Sequence, residues 1–356
     1  MSSRTAPIAA AVVTVVAVVA VTVALTVPRD KALTAVSSRV VPASRGVSAP
    51  ELVGISHFDN TAPLTLKGLR GRVVLVDFWT YTCINCRRTF PFLRALQRTY
   101  PGLTIVGVHS PEFGFEKVHA NVARAVKELG VTWPVAEDPE MATWSAFSNE
   151  YWPASYLIDR NGLVRYTHFG EGDDRATEDA VRALLAEGGG TVPAARIGEL
   201  PAEQGAADLT PETYLGAERG QQYLVGGIVA DGVTVVRHDT TSQRDVVAVT
   251  GRVHGLGDAL ELERGAAITQ RFQARYVYAT TSPAGPPVTL DVTLDGKPVP
   301  PDLRGSSLSL QGGRTVAVLR QQDLLTLISG PTLGAGTLRI TALSDGARFY
   351  TLTYGS

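Results

Sequence analysis

Trp79-Thr80-Tyr81-Thr82-Cys83-Ile84-Asn85-Cys86-Arg87-Arg88-Thr89-Phe90-Pro91 contains both cysteines of a 356-residue chain. Just upstream, residues 73–79 (Val-Val-Leu-Val-Asp-Phe-Trp) form an apolar run of strand length, and after the pair Phe90, Leu93 and Leu96 recur at helical spacing. The two thiols therefore fall at a strand-to-helix junction, on the first turn of the helix. Unpaired backbone amides and the helix dipole favour a thiolate there, and two residues between cysteines allow a small disulfide to close. Three readings are open from these residues: a structural staple, a zinc clip or a redox pair.

Cysteine usage weighs among the three. No thiol remains once Cys83 and Cys86 pair with each other, an unusual pattern for a chain that relies on disulfides for stability. Structural zinc takes four ligands as a rule, yet no second CxxC exists and the next histidine, His109, stands alone. No metal is expected at the pair. A net charge of -1 gives no electrostatic footprint for nucleic acid. The length predicts about two folded units.

Residues 6–27 carry no charge. As a helix they would reach about 33 Å, enough for a hydrocarbon core of about 30 Å, and the run is longer than the apolar region of a cleavable signal. A transmembrane anchor is expected, with residues 28–50 as a tether. Arg4 precedes the run whereas Arg29, Lys31, Arg39 and Arg45 follow it, so the charge rule alone would leave the body of the protein in the cytoplasm.

Residues 51–188 alternate strands (73–79, 103–108, 155–159, 163–168) with helices (83–100, 115–129, 141–147, 176–185), the pattern of a three-layer α/β domain. Val118, Val122 and Val126 are expected on one face of the second helix. Asn161-Gly162 reads as a two-residue hairpin turn. Residues 189–208 are expected to form a linker. Residues 209–356 consist of short alternating runs separated by Gly, Pro, Asp and Ser, with a hairpin signal at Asp295-Gly296. Such texture predicts an all-β sandwich of jelly-roll type.

Four positions around the pair carry a family resemblance. Asp77 lies six residues before Cys83, Trp79 precedes the cysteines, Pro91 lies five residues after Cys86, and Trp152-Pro153 precedes a strand. With these spacings residues 51–188 resemble the thioredoxin superfamily, most closely its membrane-anchored TlpA-like and DipZ-like extracytoplasmic thiol-disulfide oxidoreductases. FWTYTCINC, Pro111-Glu112-Phe113 and Pro211-Glu212-Thr213-Tyr214-Leu215-Gly216 look DipZ-like. A β-sandwich resembling carbohydrate-binding modules follows the thioredoxin domain in that group.

The resemblance implies thiol-disulfide exchange, with Cys83 attacking and Cys86 resolving. It implies no cofactor beyond the Cys83–Cys86 disulfide, Asp77 as proton acceptor, and a cis-proline at Pro153 lying against the disulfide. Substrate would meet Trp79, Trp152 and Pro153. Glu112, opening a helix on the same sheet edge, is a candidate for proton transfer. His109 is expected to be structural. The implied partners are exported protein disulfides and an upstream membrane electron donor of CcdA/DipZ type, with the catalytic domain outside the cell membrane.

Two rival activities are to be weighed. Thr80, three residues before Cys83, matches a peroxiredoxin-like peroxidase, but Val76 stands where those proteins have proline. A glycan-binding module with an accessory redox domain is the other. All four tryptophans lie in the redox domain, which weighs against an aromatic sugar platform in residues 209–356.

Overall fold

The computed structural model describes residues 39–187, 189, 191–198, 208–220, 223–224, 232–237 and 244–356. The expected anchor at residues 6–27 lies outside them. Among the described residues no helix is long and apolar enough to cross a membrane.

The first region runs β1 (Val47–Ser48), β2 (His57–Asp59), β3 (Val73–Trp79), α1 (Ile84–Thr99), β4 (Leu103–His109), α2 (His119–Glu128), β5 (Val135–Glu137), α3 (Ala142–Ala146), β6 (Ala154–Ile158), β7 (Leu163–Phe169) and α4 (Asp174–Ala186). Its sheet has the order β1-β7-β6-β3-β4-β5-β2. β3 is parallel to β4 and antiparallel to β6, and every one of its residues is buried. Both faces are covered, which is why the run is apolar throughout rather than alternating. Val73, Leu75 and Trp79 join the core beneath α1 and α4; Val74, Val76 and Phe78 join the core with α3. Strand periodicity places Asp77 on the α1 side.

Several local expectations change once neighbours are present. Residues 41–48, read as tether, join the sheet: β1 pairs with β7, and the Val41 amide donates to the Arg165 carbonyl. Helix α2 begins four residues later than the periodicity indicated. A separate 3-10 turn spans Gly114–Lys117, and Val118 is left 50% exposed. The cause is Glu116, whose carboxylate folds back onto the amides of Glu112 and Phe113 and closes that turn on its own. The β6–β7 connection is a four-residue loop, residues 159–162. Asp159 Oδ1 accepts from the Asn161 and Leu163 amides, and of the Asn161-Gly162 pair only Gly162, at φ +74°, is left-handed. The start of the expected linker is held to α4, since the Ile197 amide donates to Glu178 and Arg182 donates to the Pro193 carbonyl.

The second region comprises β8 (Thr213–Tyr214), β9 (Gly232–Arg237), β10 (Val247–Gly255), β11 (Leu260–Leu262), β12 (Ala267–Pro283), β13 (Val288–Leu294), β14 (Lys297–Pro298), β15 (Ser309–Gln311), β16 (Arg314–Leu319), β17 (Asp323–Ala342) and β18 (Ala347–Gly355). Its strands form one large sheet along β15-β16-β13-β17-β12-β10-β11-β18-β8, with β14 on β13 and β9 on β10. β12 is long enough to pair first with β10 and then with β18, which closes a ring around an apolar core containing Leu260, Phe272, Val277, Leu327, Ile340 and Phe349. Asp295-Gly296 does form a tight hairpin turn, with φ +51° and +74°.

Candidate active site

The site is assembled where β3 ends and α1 begins. Cys83 is the N-cap of α1, and its Sγ accepts the Cys86 amide at 3.2 Å. Cys83 is partly exposed; Cys86, three residues on, is fully buried. Burial pushes the Cys86 thiol well up, with the neighbouring Cys83 adding to the effect. Both sulfurs are unbonded thiols in this structure. Such an arrangement offers one accessible nucleophile and one protected thiol behind it.

Asp77 is 1% exposed, and desolvation raises its carboxyl from 3.8 to about 7. Ser155 on β6 donates to Oδ1 at 3.0 Å and offsets part of that rise, while Oδ2 has no partner among the described residues. A carboxyl held near neutrality is able to take up and release a proton at physiological pH. Its influence reaches Cys86, whose thiolate a negative Asp77 disfavours.

The Trp152–Pro153 peptide is cis. Pro153 is buried, whereas the half-buried Trp152 lines the cleft beside Cys83, its Nε1 donating to the Ser110 carbonyl at 3.0 Å and its ring packed on Trp144. Trp79 sits elsewhere. Expected at the substrate surface, it is fully buried and stands edge-on to Phe90 and His109, because the last side chain of β3 points under α1. It cannot touch a substrate in this conformation. His109 is likewise buried; desolvation lowers it to about 3, so it is neutral, with Nε2 3.3 Å from Thr80 Oγ1.

Glu112 is in the cleft but engaged, since its Oε1 accepts from Tyr214 OH and Arg219 Nη1, each at 2.9 Å. The carboxylate that supports the cysteine loop is Glu116, which sequence reasoning passed over. It accepts from the Thr82 hydroxyl at 2.6 Å, from the Thr82 amide, and from the amides of Glu112 and Phe113. Burial raises its carboxyl, and the hydroxyl and amide donors moderate the rise. A glutamate three residues into a tight turn is the capping-box position, the one signal that could have drawn attention to it.

The β-region supplies the far wall of the cleft. A space of about 250 Å³ lies between Cys83, Asn85, Glu112 and Trp152 on one side and Glu212, Tyr214, Arg219 and Thr280 on the other. Docking is direct. Arg87 reaches Asp323 at 3.0 Å, Arg88 donates to Tyr278 OH at 3.3 Å, and Phe113 and Phe115 pack on Tyr350. These two arginines follow Cys86 in sequence, and their guanidinium groups are turned to the β-region.

Known protein families match both regions of the chain. Residues 44–185 match the Redoxin family, and residues 210–355 match the family described as thioredoxin like C-terminal domain. Thiol-disulfide oxidoreductase YkuV of Bacillus subtilis is 30% identical over 140 residues, which are 39% of this chain and 94% of that protein. The chain belongs to the thioredoxin-like thiol-disulfide oxidoreductases.

This oxidoreductase is also 37% identical over 316 residues to Protein DipZ of Mycobacterium tuberculosis, a match covering 86% of its own length and 43% of that relative. It therefore spans less than half of the DipZ protein. A crystal structure of a thiol-disulfide isomerase from Corynebacterium glutamicum aligns at 27% identity with a TM-score of 0.36, covering 39% of this chain and 97% of the other.

Proposed function

We propose that Cys83 and Cys86 carry out dithiol-disulfide exchange on exported proteins, in the reducing direction, on the extracytoplasmic side of a membrane. The carrying observation is the pairing of a partly exposed cysteine at a helix N-cap with a fully buried one three residues later. Cys83 as thiolate attacks a substrate disulfide, forming a mixed disulfide and expelling the partner thiolate. Cys86 loses its proton to Asp77 and attacks Cys83, which releases the reduced substrate and leaves the Cys83–Cys86 disulfide. Two electrons pass to the substrate, and a membrane donor of CcdA/DipZ type restores the dithiol. No other cofactor is called on.

Trp152, Pro153 and the β-region form the substrate boundary in this reading. A folded protein is too large for a 250 Å³ cleft, so the substrate offers an extended or protruding segment. The ring of strands around a shared core supports reading the β-region as a flattened sandwich of the carbohydrate-binding-module type. Among the described residues its exposed large apolar side chains are Val233, Val235, Leu310 and Leu333, none aromatic, which favours a wall for protein substrates over a sugar platform. Peroxide reduction is disfavoured because Thr80 is fully buried and engaged with His109 and Glu116.

A Cys86→Ser variant expressed in cells is expected to accumulate mixed disulfides through Cys83 with exported proteins. Failure to trap any partner, or trapping that persists in a Cys83→Ser/Cys86→Ser double variant, would reject the assignment. The reducing direction fails separately if the potential of the wild type lies near about -120 mV, the range of strong oxidants.

A further inference from the structure

His57 and Asp59 stand two residues apart on edge strand β2, so their side chains leave the same face. Glu137 on β5 lies directly opposite His57 in the ladder. His119, the first residue of α2, completes the group from the adjacent helix. The two imidazoles stack 3.9 Å apart and within 9° of parallel. His119 Nδ1 lies 2.7 Å from Glu137 Oε1, and His57 Nδ1 lies 3.9 Å from Oε2. One donor atom from each of the three falls within 4.8 Å of the others.

Two features distinguish this group from an ordinary surface cluster. Glu137 is 3% exposed, and its ion pairs among the described residues are with these histidines, not with lysine or arginine. Asp59 adds a second carboxylate whose Oδ2 is buried without a partner among the described residues. Two carboxylates thus meet two imidazoles where three elements converge.

We propose that His57, His119 and Glu137, with Asp59 as fourth donor, bind a zinc-class divalent cation. Imidazole nitrogen and carboxylate oxygen are zinc ligands at about 2.0 to 2.2 Å, which puts tetrahedral donors roughly 3.4 Å apart. The spacings of 2.7 and 3.9 Å bracket that value. Both histidine side chains are about half exposed, at 50% and 44%, so each has room to tilt from the stack toward a common ion. A dipositive ion matches the two carboxylates in charge. The site would fasten edge strand β2 to β5 and α2 and takes no part in the thiol chemistry.

The test uses the full chain in its oxidised form, so that Cys83 and Cys86 are closed to metal. Zinc chloride is titrated calorimetrically, and cobalt(II) is titrated in parallel with visible absorption as the readout. The expected result is one ion per chain with micromolar or tighter affinity, weakened at least tenfold in His57→Ala and in His119→Ala, and unchanged in His254→Ala on the β-region. The cobalt bands of a four-coordinate nitrogen and oxygen site are lost in the same two variants. Absence of saturable binding, or binding that survives both His57→Ala and His119→Ala, overturns the proposal.

Discussion

Asp77→Asn is the sharpest probe of the buried site. Above pH 4 an unfolded chain ionises this carboxyl, whereas the folded protein keeps it protonated until about pH 7. The native state therefore holds the extra proton across that window, and this group's contribution to stability is full below pH 4 and is lost as pH rises to about 7. At about 1.4 kcal/mol per pH decade, the rise from 3.8 to about 7 removes roughly 4 kcal/mol by pH 8 and roughly 2 kcal/mol by pH 5. Asparagine cannot ionise, its carbonyl can accept from Ser155, and its amide is left as poorly satisfied as the acid hydroxyl. Relative to wild type, Asp77→Asn is expected to gain about 2 to 3 kcal/mol more at pH 8 than at pH 5. Urea unfolding of the oxidised protein, followed by tryptophan fluorescence, reads this directly because all four tryptophans lie in the α/β region. Equal effects of the substitution at the two pH values would refute the claim that desolvation governs Asp77. The proton-acceptor role is read separately, as slower release of a Cys83 mixed disulfide at pH 7. An unchanged release rate would reduce Asp77 to a buried polar residue.

Two further substitutions test the scaffold. Glu116→Ala leaves the Thr82 amide and hydroxyl and the amides of Glu112 and Phe113 without their acceptor. At about 1 to 3 kcal/mol per stranded buried donor, a loss of roughly 3 kcal/mol or more is expected in urea unfolding, with slower alkylation or exchange at Cys83 as the loop relaxes. Gly107→Ala places a Cβ 2.9 Å from the indole nitrogens of both Trp79 and Trp133, which are fully buried. Overpacking of about 1 to 3 kcal/mol is expected as a lower thermal midpoint, and an unchanged midpoint would mean that the two indoles can part freely.

The cysteine stretch was legible because its determinants are local. Strand apolarity, helix spacing, the CxxC pair and Pro91 all lie between residues 73 and 96 and act through the backbone geometry of one junction. What the same reading missed depends on partners far along the chain. Trp79 borders the cysteines, which suggests a surface position, but His109 on β4 together with Phe90 encloses its ring. The twenty-residue strand β17 carries Gly330, Pro331, Gly334 and Gly336, poor strand formers, and is held by pairing with β12 and β13. His57, His119 and Glu137 have no shared spacing and meet only through the β2–β5 ladder and the start of α2.

By itself, then, the sequence determined that a redox-capable dithiol caps a helix after a buried strand, and that a β-rich region follows. Tertiary structure decided how that dithiol is surrounded. It buried Asp77 and Cys86, turned Glu112 toward Tyr214 and Arg219, and gave Cys83 a facing wall more than a hundred residues away. Desolvation and long-range contact depend on what the folded chain brings alongside a residue, and no local pattern of side chains encodes that neighbour.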